Sequence, residues 1–166
     1  MSIRTVVLPQ SVQTIGVDAF LNCCYISSIT VPTSCQRICD SAFEGCSSLR
    51  EIILPQGIRS LGKGFISRTS IKTLQIPKTI EAMSFALSGA DHLEQVVFEE
   101  GIKQIPAKAL IAEERVASKK LVVHLPRSLS YLPLRSIDAS LMVIQCYENS
   151  YAHKFAIENC IDFLLQ

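Results

Sequence analysis

Seven cysteines, three histidines and two pairs of adjacent glutamates are the residues of this 166-residue chain that could do chemistry. Thiolates and imidazoles bind zinc at short fixed spacings, commonly anchored on a CxxC pair. Here the cysteines stand at 23, 24, 35, 39, 46, 146 and 160, with no CxxC among them. A site made of Cys23, Cys24, Cys35 and Cys39 would draw its ligands from two faces. The histidines, at 92, 124 and 153, have no acidic or cysteine partner recurring at ligand or triad spacing, and isolated histidines in such a chain read as surface residues. Glu99-Glu100 and Glu113-Glu114 read as solvated turns rather than acid/base machinery. Gly62-Lys63-Gly64 lacks the third glycine of a phosphate loop, and no GxSxG nucleophile elbow is present. The expectation is a non-enzymatic chain that uses neither metal nor cofactor.

Charge narrows the partners. Sixteen basic against fifteen acidic residues leave +1, too little for the broad positive field of non-specific phosphate binding, so nucleic acid is not expected. The longest charge-free stretch, Ala19 to Gln36, is broken by Asn22, Ser27, Ser28, Thr30, Pro32 and Thr33, which excludes membrane insertion as a spanning helix. Residues Met1 to Pro9 lack the apolar core of a signal peptide. As written the chain reads as cytoplasmic; it would be secreted or surface-displayed if it is cut from a longer parent. An odd cysteine count in a chain of this length favours reduced thiols. A composition of 48% hydrophobic and 19% charged residues is that of a folded domain.

What must position any site is a repeat. Prolines preceded by an apolar-x-apolar triplet recur at Pro9, Pro32, Pro55, Pro77 and Pro126, and Val96-Val97-Phe98-Glu99 supplies the missing anchor after Pro77. The third residue after each anchor is Val12, Cys35, Ile58, Ile80, Ile102 and Leu129, and the sixth is Ile15, Ile38, Leu61, Met83, Ile105 and Leu132. A further column runs Phe20, Phe43, Phe65, Leu87, Leu110 and Ile137, and another Ile26, Leu49, Ile71 and Leu93, which Val116 and Val143 are expected to continue. Extra residues between Leu110 and Pro126 place an exposed insertion within 113–120. Units of this length each have an apolar face that they cannot bury alone, so neighbours stack into one elongated core. The triplet alternates with period two and reads as a short strand whose copies form a parallel sheet, with proline ending each ladder. Between strands a turn, or one to two helical turns, is expected.

Those residues carry a resemblance. Ile52-Ile53-Leu54-Pro55-Gln56-Gly57-Ile58-Arg59-Ser60-Leu61-Gly62 and Ser41-Ala42-Phe43-Glu44-Gly45-Cys46-Ser47-Ser48-Leu49 resemble the BspA-like class of bacterial leucine-rich repeats over nearly the whole chain. Phe85 to Leu87, Glu99, Pro106, Pro133 and the insertion depart from its pattern. The resemblance implies an α/β repeat solenoid, right-handed, with a parallel β-sheet on the concave face and short turns or helices on the convex side. It also implies a protein partner, either a host matrix protein or another cell-surface protein, engaged in adhesion.

The expected organisation is one leucine-rich repeat domain over 1–166, with about six units and a C-terminal cap over 143–166. Asn149 or Ser150 should N-cap a helix from Tyr151 to Glu158, with Tyr151, Ala152, Phe155 and Ala156 on the last coil. Asn159 suits its C-terminal side, and 161–165 should add a strand. Ile3 already stands six residues before Pro9, so the N-terminal end is read as lying inside an array, able to pair with another copy or with further repeats. Cys23 and Cys46 should stack one strand apart, either able to form a disulfide or, as the simpler reading, lying in a column of small residues with Ala90 and Ser140.

With no chemistry visible, surface remains. The residue two before each anchor points away from the core, so Val7, Thr30, Ile53, Gln75, Val97 and His124 form an outward row on the concave face, flanked by Thr5, Ser28, Glu51, Thr73, Gln95 and Val122. Val7, Ile53 and Val97 in an outward row are either a contact patch or β-branched residues that simply suit strands. The expected function is a non-enzymatic protein-binding module using this row; the alternative is a structural spacer, part of a longer repeat array.

Overall fold

The structure, a computed structural model, describes residues 6–113, 116 and 119–166. In chain order the strands are β1 (Val6–Val7), β2 (Thr14–Ile15), β3 (Ser28–Thr30), β4 (Arg37–Ile38), β5 (Glu51–Ile53), β6 (Ser60–Leu61), β7 (Thr73–Ile76), β8 (Gln95–Phe98), β9 (Leu121–His124), β10 (Met142–Cys146) and β11 (Phe163–Leu165); helix α1 spans Tyr151–Glu158. They stack as a parallel solenoid of about seven turns, in which the triplet before every anchor is a strand as the alternation requires. One parallel sheet has the order β1-β3-β5, and a second has the order β11-β10-β9-β8-β7.

Proline stops each strand. It has no N–H to donate and so ends the ladder: β3, β5 and β7 all stop before Pro32, Pro55 and Pro77. At the fifth anchor Glu99 keeps its amide, which donates to Ile76 O at 3.1 Å and carries the β7–β8 ladder one step further. Each anchor carbonyl then accepts from the amide three residues on, from Val12 N to Pro9 O (3.1 Å) through Leu129 N to Pro126 O (3.2 Å). That closes a β-turn and swings the third-residue column inward; Cys35, Ile58, Ile80, Ile102 and Leu129 are buried, and Val12 is partly so. One hydrophobic cluster runs from Ile15 to Ile161.

Two further walls complete each coil. The sixth-residue column carries a ladder that the sequence did not announce: β2, β4 and β6 form a separate parallel sheet, and bridges join Ser60 to Ala82 and Gln104 to Tyr131. On the convex side, of the turn or short helix expected, the chain takes turns locked directly to the next coil, with Phe20 N donating to Ala42 O (2.8 Å), Phe43 N to Phe65 O (2.9 Å) and Gly45 N to Ser67 O (2.9 Å); among the described residues the one helical piece there is a 3-10 turn at Leu134–Ser136. The physical reason is a left-handed residue at the start of each turn, Asp18, Ser41, Gly64, Phe85 and Lys108, which aims the following amides at the neighbouring coil and stops helical propagation.

Three column assignments are corrected. Val116 is 84% exposed within the insertion, and Val143 is only half-buried because it pairs with Val122 of the flanking row on the outward side of β10. Ser140 is exposed, although Cys46 and Ala90 of the same proposed column are buried. The expected cap from 143 begins inside β10, a full rung paired with β9 from Met142 to Gln145. Ile144-Gln145-Cys146-Tyr147 is a seventh triplet with tyrosine in the proline position, which hid it. Ser150 is the N-cap, its hydroxyl accepting from His153 N at 3.2 Å; Ala152, Phe155 and Ala156 are buried beneath the last coil and β11 pairs with β10. Ile3 and Thr5 lie outside the described residues, as do 114, 115, 117 and 118 of the insertion; Glu113, Lys119 and Lys120 are exposed.

Glycine is required where coils touch most closely. A Cβ at Gly62 would stand 2.3 Å from Asp40 N and 2.5 Å from Cys39 C, whereas at Gly16, the same place in the first coil, nothing lies within 4 Å. Gly62→Ala is expected to cost about 1–3 kcal/mol or more, since the clash is with backbone that cannot swing aside. Gly16→Ala should be neutral or stabilise by up to about 1 kcal/mol, through the unfolded chain. Urea titrations of the two variants check this; equal midpoints would mean that the coils do not approach as described.

Candidate functional site

The outward row is assembled by strand register. Val7 pairs with Thr30 and Thr30 with Ile53 in one sheet; Gln75 pairs with Val97 and Val97 with His124 in the other. Because side chains alternate across a strand, these six leave the core side together: Val7 is 86% and Ile53 57% exposed, Thr30 and Gln75 are exposed, and Val97 and His124 are half-buried. Register extends the row to Gln145 and Leu164, which the sequence reading missed with the seventh triplet. Ser28, Glu51, Thr73, Gln95 and Val122 flank it, also in register within each sheet.

The two sheets meet at a seam. β5 and β7 are neighbours, yet among the described residues no ladder joins them. Arg50 N donates to Ser27 O (3.2 Å), Glu94 N to Lys72 O (2.8 Å) and Val122 N to Glu94 O (3.0 Å), but the corresponding bond from Lys72 N to Arg50 O is not made. A cavity of about 580 Å³ opens there, with Glu51, Ile53, Thr73, Gln75 and Glu99 in its lining. Glu99 is held in place by Gln56 Nε2, 2.8 Å from both carboxylate oxygens, and by Lys78 N at 3.1 Å.

His124 is the one titratable group of the row with a displaced pKa. Burial holds it below the ordinary histidine value, and among the described residues its buried Nε2 has no hydrogen-bond partner. A base whose folded pKa is depressed binds fewer protons folded than unfolded. Its contribution is therefore complete above the unfolded value of about 6.5 and is lost as pH falls toward the folded pKa. Chemical denaturation at pH 7.5 and pH 5.5 should show a smaller pH-dependent loss in His124→Gln than in wild type; an unchanged loss would place the titration elsewhere.

The cysteines sit apart from this face. Cys46 is fully buried, its thiol donating to Phe20 O at 3.1 Å, and burial pushes its pKa up to about 11. Burial also raises the Cys35 and Cys146 thiols, so these three are core residues with little thiolate at neutral pH. Cys24 and Cys160 are exposed. Among the described residues no group of three or more His, Cys, Asp or Glu could hold a metal ion, and no helix is long and apolar enough to cross a membrane.

A parallel solenoid built on an apolar-x-apolar strand, a proline-anchored turn and a wall of interlocked turns is a leucine-rich-repeat-like array. Residues 1–89 match the BspA type leucine rich repeat region in six copies, and the chain belongs to that family. Among solved structures it is similar to the pneumococcal vaccine antigen PcpA, with TM-score 0.71 and 13% identity over 95% of this chain and 40% of that one. It is also similar to the leucine-rich repeat protein TpLRR of T. pallidum, with TM-score 0.51 and 17% identity over 78% of this chain and 73% of that one. The chain thus spans about two fifths of the pneumococcal antigen, and likenesses at this identity are likenesses of fold. No curated protein matches it. Repeats of this family are in general protein-interaction or adhesion modules, and typically non-enzymatic.

Proposed function

We propose that the chain is a protein-binding module whose partner lies across the outward row Val7, Thr30, Ile53, Gln75, Val97 and His124, in adhesion to a host matrix protein or another cell-surface protein. The observation that carries this reading is Ile53: a large apolar side chain, 57% exposed, in register with exposed Thr30 and beside the seam cavity. Apolar side chains with polar surroundings on an otherwise solvated face are characteristic of interaction surfaces. Partner binding here requires no cofactor.

The test is site-specific photocrosslinking. A benzophenone amino acid at Gln75 should capture a discrete protein from matrix extract or cell lysate, and the same group at exposed Arg68 on the convex wall should not. Ile53→Glu/Val97→Glu should remove the Gln75 adduct without unfolding the chain. Adducts from Arg68 alone would move the site to the other side. A second reading rests on the first coil, where Val6, Leu8, Val12 and Phe20 are only partly buried while their counterparts in the next coil, Ile29, Val31, Cys35 and Phe43, are buried. Further repeats or another copy stacking there would make the chain a structural spacer. A mass that rises with concentration and falls on Phe20→Glu favours that reading.

A further inference from the structure

The row does not present one uniform surface, and its seam has a chemistry of its own. Alongside the seam cavity lies a second of about 410 Å³, lined by Arg50, Ser70, Lys72 and His92. Arg50 and Lys72 line both cavities. Among the described residues no acidic one lines the second cavity. Among the described residues nothing engages the Arg50 guanidinium, and Lys72 has one exposed partner, Glu94 at 3.1 Å. Ser70 Oγ is committed to Ser47 O at 2.7 Å, which leaves the two cations to face the opening. Of the acids lining the neighbouring cavity, Glu99 already accepts from Gln56 and Lys78, and Glu51 follows Arg50 at the start of β5.

We propose that the seam between β5 and β7 takes an extended protein segment in which an acidic side chain meets Arg50 and Lys72 and an adjacent apolar side chain covers Ile53. This rests on the reading of the outward row as a protein-binding surface, and names the segment that surface selects. Three independent observations converge on it. At the lip Lys72 is paired with Glu94 and the Arg50 guanidinium is left unengaged among the described residues, and an arginine fork is suited to bind a carboxylate through two parallel hydrogen bonds. The apolar anchor lies next to it along β5. The interrupted ladder leaves main-chain groups such as Lys72 N unengaged at facing strand edges, where an extended segment can bond. A carboxylate at the lip gives orientation and encounter rate, and the apolar contact gives residence.

The experiment is a phage-displayed library of random eight-residue peptides selected on the whole chain, the best binders being synthesised and mapped on the isotope-labelled chain by amide shift changes. The expected result is enrichment of peptides with Asp or Glu next to Leu, Ile, Phe or Val, shifts centred on 50–53 and 72–75, and loss of more than about tenfold in affinity in Arg50→Glu/Lys72→Glu and in Ile53→Glu. Binding should weaken with salt, as an exposed charge contact does. The charge-reversed pair should select basic peptides in a fresh round, a readout that a merely structural role for Arg50 would not move. Neutral or basic binders on wild type that still shift the outward row would overturn the seam chemistry and leave the row's function standing. Shifts confined to the convex wall or the ends would overturn both. A library that yields no peptide above background overturns the proposal, because the seam is held to bind a short segment by itself.

Discussion

Ile52→Glu is expected to unfold the coils around it at neutral pH, while Ile53→Glu, one residue along the same strand, leaves the melting temperature nearly unchanged. Ile52 is 6% exposed, in register with buried Ile29, and belongs to the continuous apolar cluster. Glutamate there forfeits about 2–3 kcal/mol of side-chain burial and puts a carboxylate where no partner waits, a further cost of several kcal/mol. The sum approaches the whole stability of an ordinary domain, about 5–15 kcal/mol. Ile53, 57% exposed, faces water in either case, and surface substitutions usually fall within about 0.5 kcal/mol. Leu54→Glu should be intermediate, since Leu54 is only partly buried. Circular dichroism melts of the three variants decide; equal losses at 52 and 53 would mean that the strand is out of phase.

Phe43→Ala should produce the next largest loss, about 3–5 kcal/mol for a buried phenylalanine, or a fall of roughly 10 °C in melting temperature for a chain of this size. The ring is fully buried and stacks on Phe20 at 5.2 Å between centroids, with 2° between the planes. Truncation leaves a void between three coils, and main-chain bonds from Phe43 N to Phe65 O and from Phe20 N to Ala42 O prevent them from collapsing into it. Phe20→Ala should cost roughly half as much, because that ring starts partly exposed. Hydrogen exchange should show the Phe43 variant opening first in its first two coils, as expected of an array held by nearest-neighbour interfaces; uniform loss of protection would instead make the array one cooperative block.

The strand phase was legible because three signals coincide: a proline stop, period-two alternation, and repetition at 22 or 23 residues. The C-terminal helix was legible for similar reasons, a serine cap followed by apolar residues at helical spacing. The second ladder was hidden because each coil contributes only two residues to it, as in Thr14–Ile15 and Arg37–Ile38, too few for any alternation to register. On the convex wall the choice between turn and short helix stayed open because its left-handed positions are filled by Asp18, Ser41, Phe85 and Lys108 as well as by Gly64, so no residue type marks them. Of the candidate site, the outward direction of the row followed from alternation alone. Its seam and the half-burial of Val97 and His124 did not, since both depend on how neighbouring strands of unequal length meet.

The turns of the convex wall bond from one coil to the next, as do the ladders, and β1 and β11 lie at opposite ends of the strand series. Tension applied between the chain's two ends therefore loads these contacts in series and opens them one coil at a time, as a zip opens, rather than shearing them all together. A released coil of 22 or 23 residues lengthens the chain by roughly 75 Å when drawn straight. A protein anchored by its two ends would thus respond to pull with a staircase of similar steps, longer at the coil that carries the insertion, each relieving the load on those that remain.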